Sequence, residues 1–419
     1  MNILPELHER GLVHDTTAAD QLGSRLADHS VGVYVGFDPT ADSLHVGHLL
    51  GQLMLRRMQL AGHRPFALAG GATGMVGDPS GRSEERTLLD AETLAHNVSR
   101  IESQLQRLVD FSPGKFQATL VNNADWTAGI SALEFLRDVG KHITVNQMLA
   151  KDSVKSRLGS EHGLSYTEFS YMLLQANDFR HLAGARDVEL QMGGSDQWGN
   201  ITAGIDLIRK TLGRTAHGLT WPLLTRDDGT KFGKTADGAV WLDPGRTSPY
   251  QFRQFWVQQS DADVARYFPQ FSLRPLAESR DILAAHAAKP EAREAQRLLA
   301  GEMTAMVHGK DAARAAEEVA AILFGGDPTG ASVAGFAAIA HEVPSTSMSA
   351  VPEEMSQLLV DTRVCGSKSE ARRTIQQGGV RVNGAQVALD TRPADIAPLH
   401  GRYLLVRRGK TTYHLIDLG

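Results

Sequence analysis

The sequence predicts an α/β protein: a parallel sheet covered by helices on both faces, then a helical stretch, then a small α+β unit. Three observations carry this. Short β-branched and aromatic runs alternate with helical patterns up to about residue 247. Strand signals then stop, and Ala-, Glu- and Arg-rich patterns run to Phe324. A Gly/Ala/Ser/Pro-rich stretch, 325–352, precedes a more cationic tail, which from Val351 onward holds 10 Lys+Arg against 7 Asp+Glu.

Each element has its own signal. Residues 31–37 are β-branched and aromatic and read as a buried strand. Residues 45–61 place Leu49, Leu50, Leu53, Met54 and Met58 at helical spacing and stop at Gly62. Segments 65–68, 117–121 and 188–192 read as further strands. Helices are expected at 84–110, 131–136 and 167–182. The expected domains are 1–247, built on the sheet; 248–324, helical; 325–352, a linker; and 353–419, small α+β.

Composition narrows the function. A chain of 419 residues exceeds what one core usually organises, so two or three domains are expected. With 42% hydrophobic and 22% charged residues, wholesale disorder is excluded. A single cysteine, Cys365, rules out an internal disulfide framework and a thiolate cluster, so no zinc site is expected. Glu6 and Glu9 interrupt the N-terminus, which does not read as a signal peptide. No apolar run approaches the ~20 residues that span a bilayer. The expectation is a cytoplasmic protein with no membrane partner. The net charge of −5 argues against a basic coat but leaves room for a local basic patch.

Five segments carry candidate chemistry. A strand runs into Asp38, Pro39 and Thr40, and a helix opens at His45, Val46, Gly47 and His48. A helix start offers unpaired N–H groups to a phosphate, and two histidines three apart share its first turn. Two surface histidines beside a helix-start glycine would give the same pattern. Lys231, Phe232, Gly233, Lys234 and Thr235 suit a clamp on a polyphosphate, or a solvated turn. The glycine-rich run from Gly70 through Asp78 to Arg82 follows a strand. A buried Asp78 there would receive an ammonium, or it is a capping residue. Tyr171, Gln175 and Asp178 share one helix face, as a buried polar stripe or an exposed one. Gly193, Gly194, Ser195, Asp196, Gln197 and Trp198 follow another strand, as a ligand contact or a tight turn.

The order of these segments is more specific than any one of them. H-x-G-H after the first strand and K-F-G-K-T after the last resemble the two signatures of class I aminoacyl-tRNA synthetases. The longer strings around Tyr34–His48, Gly77–Gly81, Leu174–Asp178 and Gly193–Trp198 resemble the bacterial tyrosine-specific family, from end to end of the chain. From Arg363 to Gly384 the tail resembles an S4-type RNA-binding domain.

This resemblance implies a Rossmann-like catalytic domain that activates L-tyrosine with ATP and charges tRNA(Tyr), with Mg²⁺ accompanying ATP. It implies that Tyr34 and Asp178 bond the substrate phenol, while Asp78, Tyr171 and Gln175, with Gln197 nearby, hold its ammonium. Thr40, His45, Gly47, His48, Lys231, Lys234 and Thr235 would serve ATP and its pyrophosphate, with Arg82 and Arg86 opposite. Asp38 and Asp196 would face the amine or ribose. Arg82 stands where relatives often carry lysine, which keeps the charge but alters the geometry. Arg363, Lys368, Arg372 and Arg373 would meet RNA phosphates. A homodimer is implied, with an interface around Phe135, Leu136, Ile143, Val145, Met148 and Leu149, in a connective region at about 125–160. The weighed rivals are a tryptophan-specific relative, a pantothenate-synthetase-like ligase, and an RNA-binding protein on an inactive core.

Overall fold

The computed structural model describes residues 2–80, 89–158, 163–235 and 238–419, and the backbone alone at 152, 153, 156, 234 and 235. The strands are β1 Asp15–Thr16, β2 Gly32–Phe37, β3 Arg64–Ala69, β4 Thr119–Asn122, β5 Val188–Gly194, β6 His217–Trp221, β7 Lys234–Thr235 and β8 Gly238–Ala239. The first six form one sheet in the order β1-β6-β5-β2-β3-β4. All its neighbours run parallel except β1, which pairs antiparallel with β6.

β2 lies at the centre because Val33, Tyr34, Val35 and Phe37 supply apolar surface to both faces of the sheet. The chain then moves to β3 and β4 on one side and returns to β5 and β6 on the other. That reversal leaves a crevice at the C-terminal ends of β2 and β5, where sheets of this type bind ligands.

The Val46–Leu60 helix covers one face with Leu49, Leu50, Leu53, Met54 and Met58. Its stop at Gly62 uses a φ of +94°, which glycine adopts without strain. The Tyr166–Arg186 helix is capped by Ser165, whose hydroxyl accepts from the Glu168 N–H, and ends at Asp187. The long polar helix spans Ala91–Leu108, with Asp90 as its cap. It starts later than expected because Asp90 captures the Thr93 N–H and fixes the first turn there. Expected positions 84–88 lie outside the described residues.

The contacts divide the chain into Met1–Arg246 with Gln258–Leu299, and Thr247–Val257 with Ala300–Gly419. The helical stretch 248–324 is thus shared between the two units. The second unit is built on a five-stranded sheet: β9 Ser345–Ser347, β10 Val380–Val382, β11 Ala385–Gln386, β12 Tyr403–Arg408 and β13 Thr412–Asp417, in the order β11-β10-β12-β13-β9. One face packs on Val319, Ile322, Phe336 and Ile339. The other packs on Met355, Leu358, Leu359, Ala371 and Ile375. Residues 325–352, expected as a linker, contain the Val333–Ile339 helix and β9. Phe336 is fully buried and stacks on Tyr403, so this stretch is part of a core.

The apolar residues expected at a subunit interface fall into two groups. Ile143 and Met148 are core, packed with Val139, Met172 and Leu207, and Phe135 leans on the same cluster. Leu136, Val145 and Leu149 are exposed, as is Leu133.

Candidate active site

Gly36 marks the opening. It is exposed while Val35 and Phe37 on either side are buried, which is unusual on the central strand of a covered sheet. A Cβ at this position would meet only Leu68, at 3.7 Å. Two residues back on the same face, Tyr34 is 1% exposed, with its ring 5.4 Å from that of Phe179. The buried Tyr34 hydroxyl has no hydrogen-bond partner among the described residues. Burial, then the Asp178 carboxylate, push its pKa well above the ordinary phenol value. A buried hydroxyl without a partner is costly, so this one is suited to a ligand atom.

Asp178 lies on the Tyr166–Arg186 helix and is 2% exposed. Asn123 Nδ2 donates to its Oδ2 at 2.9 Å, and Trp126 Nε1 to its Oδ1 at 2.8 Å. Each carboxylate oxygen keeps a further lone pair for a ligand donor. Burial raises the Asp178 pKa to about 7, against the pull of these two bonds. Trp126 is itself held by stacking on His181, with ring centroids 4.4 Å apart.

A polar chain runs from here along the crevice. Asn123 also donates to Thr73 Oγ1, Thr73 donates to Asp38 Oδ1, and Tyr171 donates through its hydroxyl to Asp38 Oδ2. Tyr171 is therefore bonded to Asp38 rather than to Asp78. Bare Cα atoms make this possible. A Cβ on Gly70 would lie 2.4 Å from Asp38 Oδ1, and one on Gly71 would lie 2.3 Å from Asn122 Oδ1. The glycines of this loop admit side chains of the protein itself.

Asp78 is 7% exposed and accepts from Gln197 Nε2 at 2.8 Å and from the Ser80 N–H. Gln197 also donates to Asp196, whose pKa burial raises, with Asp78 adding to the shift. The turn after β5 folds back because Gly193 and Gly194 leave room: Cβ atoms there would lie 3.0 Å from Gln197 Cβ and 2.6 Å from Asp196 Oδ1. Gln175 accepts from Asn200. The stripe Tyr171, Gln175, Asp178 thus faces the crevice.

The two signature segments meet at the other end. The Gly47 N–H donates to His45 Nδ1 at 3.1 Å, and the His45 N–H donates to His48 Nδ1 at 3.2 Å. His45 is the cap of its helix, and both neutral rings carry their proton on Nε2. The rings stack with centroids 3.9 Å apart. Gly47 is required by this arrangement, since a Cβ would lie 2.8 Å from His45 Cε1. The Val46 N–H donates to Val240 O, and the Leu242 N–H to Leu44 O, so the strand after the lysine loop is laced to the histidine segment. Gly233, at φ +78°, sits so close that a Cβ would lie 2.6 Å from Val46 Cγ2. Phe232 anchors the loop between the rings of Tyr267 and Phe271. Thr40 and Lys231 are exposed. Lys234 and Thr235 are described as the backbone of β7, and Arg82 and Arg86 lie outside the described residues.

In the second unit, the Lys368–Gln376 helix is capped by Ser367 and buries Ala371 and Ile375. Arg363, Lys368, Arg372 and Arg373 are all exposed. Lys368 and Arg372 share Glu354 as an ion-pair partner, at 3.6 and 3.3 Å. Among the described residues no group of three or more His, Cys, Asp or Glu is placed to hold a metal ion. No described helix is long and apolar enough to cross a membrane.

Sequence reasoning gave no individual role to Gly36, Thr73 or Asn200, although they lie within or beside its candidate segments, and did not point to Asn123, Trp126 or Lys151. A strand ending in two asparagines, Asn122 and Asn123, was the visible signal for one of them. The others declare themselves only through burial and partners.

Comparison with known proteins agrees with this arrangement. Residues 26–325 match the family model for tRNA synthetases class I (W and Y), and residues 335–416 match the tyrosine–tRNA ligase SYY-like C-terminal domain. A tyrosine–tRNA ligase of Roseiflexus castenholzii is 51% identical over 99% of both chains. One from Opitutus terrae is 51% identical over the full length of both. The crystal structure of a C-terminally truncated mitochondrial tyrosyl-tRNA synthetase from Coccidioides posadasii superposes with a TM-score of 0.67 at 35% identity, over 75% of this chain and 91% of that one. A laced pair of nucleotide-type signatures beside a buried polar crevice, on a chain matched over this length, belongs to the class I tRNA synthetase (W and Y) family.

Proposed function

We propose that this chain is a tyrosine–tRNA ligase. It activates L-tyrosine with ATP to tyrosyl-adenylate and pyrophosphate, then transfers the tyrosyl group to the 3′ end of tRNA(Tyr). The observation that carries the amino-acid choice is the Tyr34 hydroxyl, without a partner among the described residues and buried beside Asp178 under the opening at Gly36. A phenol fills that need: its O–H donates to Asp178 and its oxygen accepts from Tyr34. An indole or a phenyl ring leaves at least one of these groups desolvated and unpaired.

In this reading Asp78 and Gln175 accept from the substrate ammonium, with Gln197 and Asn200 aligning these acceptors and Tyr171 holding Asp38 beside them. In the first step a tyrosine carboxylate oxygen attacks the α-phosphorus of ATP. The bond to the bridging oxygen breaks, and pyrophosphate leaves with its electron pair. The substrate supplies the nucleophile, so the protein positions the reactants and stabilises charge. Thr40 and the Nε2–H groups of His45 and His48 address the phosphates and ribose from one side. Lys231, Lys234 and Thr235 address the departing pyrophosphate, joined by Arg82 and Arg86. Asp38 and Asp196 flank the ammonium and ribose. Mg²⁺ enters with ATP as the counter-ion of its phosphates.

The exposed cations Arg363, Lys368, Arg372 and Arg373 hold tRNA phosphates. The exposed Leu133, Leu136, Val145 and Leu149 form the contact of a homodimer. A cytoplasmic setting suits the lone buried Cys365.

ATP–pyrophosphate exchange with tyrosine, tryptophan, pantoate or no acid, followed by tRNA charging, tests the reading. Exchange stimulated by tyrosine alone, and charging of tRNA(Tyr), are expected. Stimulation by tryptophan or pantoate instead would overturn it.

A further inference from the structure

We propose that Lys151 is a positioning residue for the tyrosine ammonium site, acting through Asn200 to fix which way the amides of Gln175 and Gln197 point. The inference rests on the tyrosine reading above and adds a residue that neither signature contains.

The Lys151 stem lies along a bare helix surface. A Cβ on Gly199 would meet Lys151 Cγ at 3.0 Å and its Cδ and Cε at 3.4 Å. The stem ends with Nζ donating to Asn200 Oδ1 at 2.5 Å and to Ser80 Oγ at 3.3 Å. Asn200 is fully buried. It donates from Nδ2 to Gln175 Oε1 at 2.9 Å and to Gln197 Oε1 at 3.0 Å. Gln197 then donates from Nε2 to Asp78 and Asp196.

An ammonium has donors and no acceptor. It therefore donates only to the oxygen end of Asn200, and together with the acceptor-only Asp78 and Asp196 at the far end it sets every amide between them. Gln175 must turn its oxygen inward, where a second lone pair meets the substrate ammonium. Gln197 must turn its NH₂ to the two carboxylates. Without the ammonium, only the carboxylates hold this order, and a reversed Asn200 would leave Gln197 Oε1 without its donor and turn an NH₂ of Gln175 toward a cation. Burial lowers the Lys151 pKa, and the nearby Asp78 and Asp196 carboxylates oppose that shift.

Lys151→Met keeps the stem and removes the donors. Lys151→Arg keeps a donor-only cation. Asn200→Asp removes the NH₂ that feeds both glutamines while pairing well with Lys151. Each is measured for tyrosine and ATP KM in pyrophosphate exchange. Competition by tyrosinol, which has the ammonium, is compared with competition by p-cresol, which lacks it. Lys151→Met and Asn200→Asp are each expected to weaken tyrosinol and raise the tyrosine KM about 10-fold, a typical cost for a lost charge-assisted bond. The ATP KM and p-cresol competition should stay within about twofold, and Lys151→Arg should recover most of the loss. Unchanged tyrosinol binding in both variants would overturn the proposal. So would equal weakening of p-cresol, because the pocket as a whole would then have loosened. A wild-type protein that shows no tyrosine-dependent exchange refutes the earlier reading instead, independently of Lys151.

Discussion

At the phenol end of the crevice, Asn123, Trp126, Thr73 and Tyr171 donate inward to two carboxylates, and the Tyr34 hydroxyl waits in a dry position. At the phosphate end, Thr40 and Lys231 stand exposed, while the rings of His45 and His48 are held by backbone N–H groups. On the proposed reading the first region recognises a neutral group by placing dipoles in one geometry, where a missing partner costs a full desolvation. On the same reading the second meets a flexible, highly charged polyphosphate with cations that water partly screens. Substitutions should therefore act nearly all-or-none in the first region and by degrees in the second.

The sharpest test of that contrast is Asp178→Ala, which should lower kcat/KM for tyrosine in exchange by about 10²-fold or more, since it orphans the substrate phenol as well as Asn123 and Trp126. Near-normal exchange would break the assignment of the phenol site. Lys231→Ala should lower the exchange rate by up to about 10²-fold while leaving tyrosine binding, measured by equilibrium dialysis, unchanged. His45 separates capping from catalysis. His45→Ala should cost about 1 kcal/mol of stability together with activity, whereas His45→Asn, a good cap, should restore stability and not exchange. Chemical denaturation beside exchange assays reads both. Arg372→Ala with Arg373→Ala should raise the KM for tRNA about 10-fold at low salt, flatten its salt dependence and spare exchange.

The smallest effect concerns pH. The Asp178 carboxyl is raised to about 7 in the folded protein, against 3.8 when unperturbed. The folded state thus holds this proton more tightly. Its stabilising contribution is full below the unperturbed value and is lost as pH rises through about 7. Melting temperatures should fall more steeply between about pH 4 and about pH 7 in the wild type than in Asp178→Asn. Parallel slopes would show that Asp178 does not titrate in that window.

Long, strongly patterned elements were readable from the residues. The Val46–Leu60 helix, β2 and β3 lie within a residue or two of where apolar spacing puts them. β6 was missed, a five-residue strand with no alternation, buried at every position. So was β9, whose Ser345, Thr346 and Ser347 carry no apolar signal and gain their pairing from β13 alone. The 325–352 stretch read as a linker because its Ala and Gly dilute the spacing of Val333, Phe336 and Ile339. In the crevice, the motifs showed which segments converge, but not their wiring. Nothing in the sequence says that Tyr171 bonds Asp38, or that Trp126 reaches Asp178. Those links join positions 133 and 52 residues apart, and only the folded sheet brings them together.

The relay from Tyr171 through Asp38, Thr73 and Asn123 to Asp178 has a consequence for anyone retargeting this scaffold to another amino acid. On the proposed reading, the residues that read the side chain and those beside the backbone ammonium are not separate modules. A change at either end alters the lone pairs available at the other, so pairs of substitutions along the relay should combine non-additively. New specificities would then come from sets of compatible changes introduced together, and libraries that vary one end alone would sample mostly broken circuits.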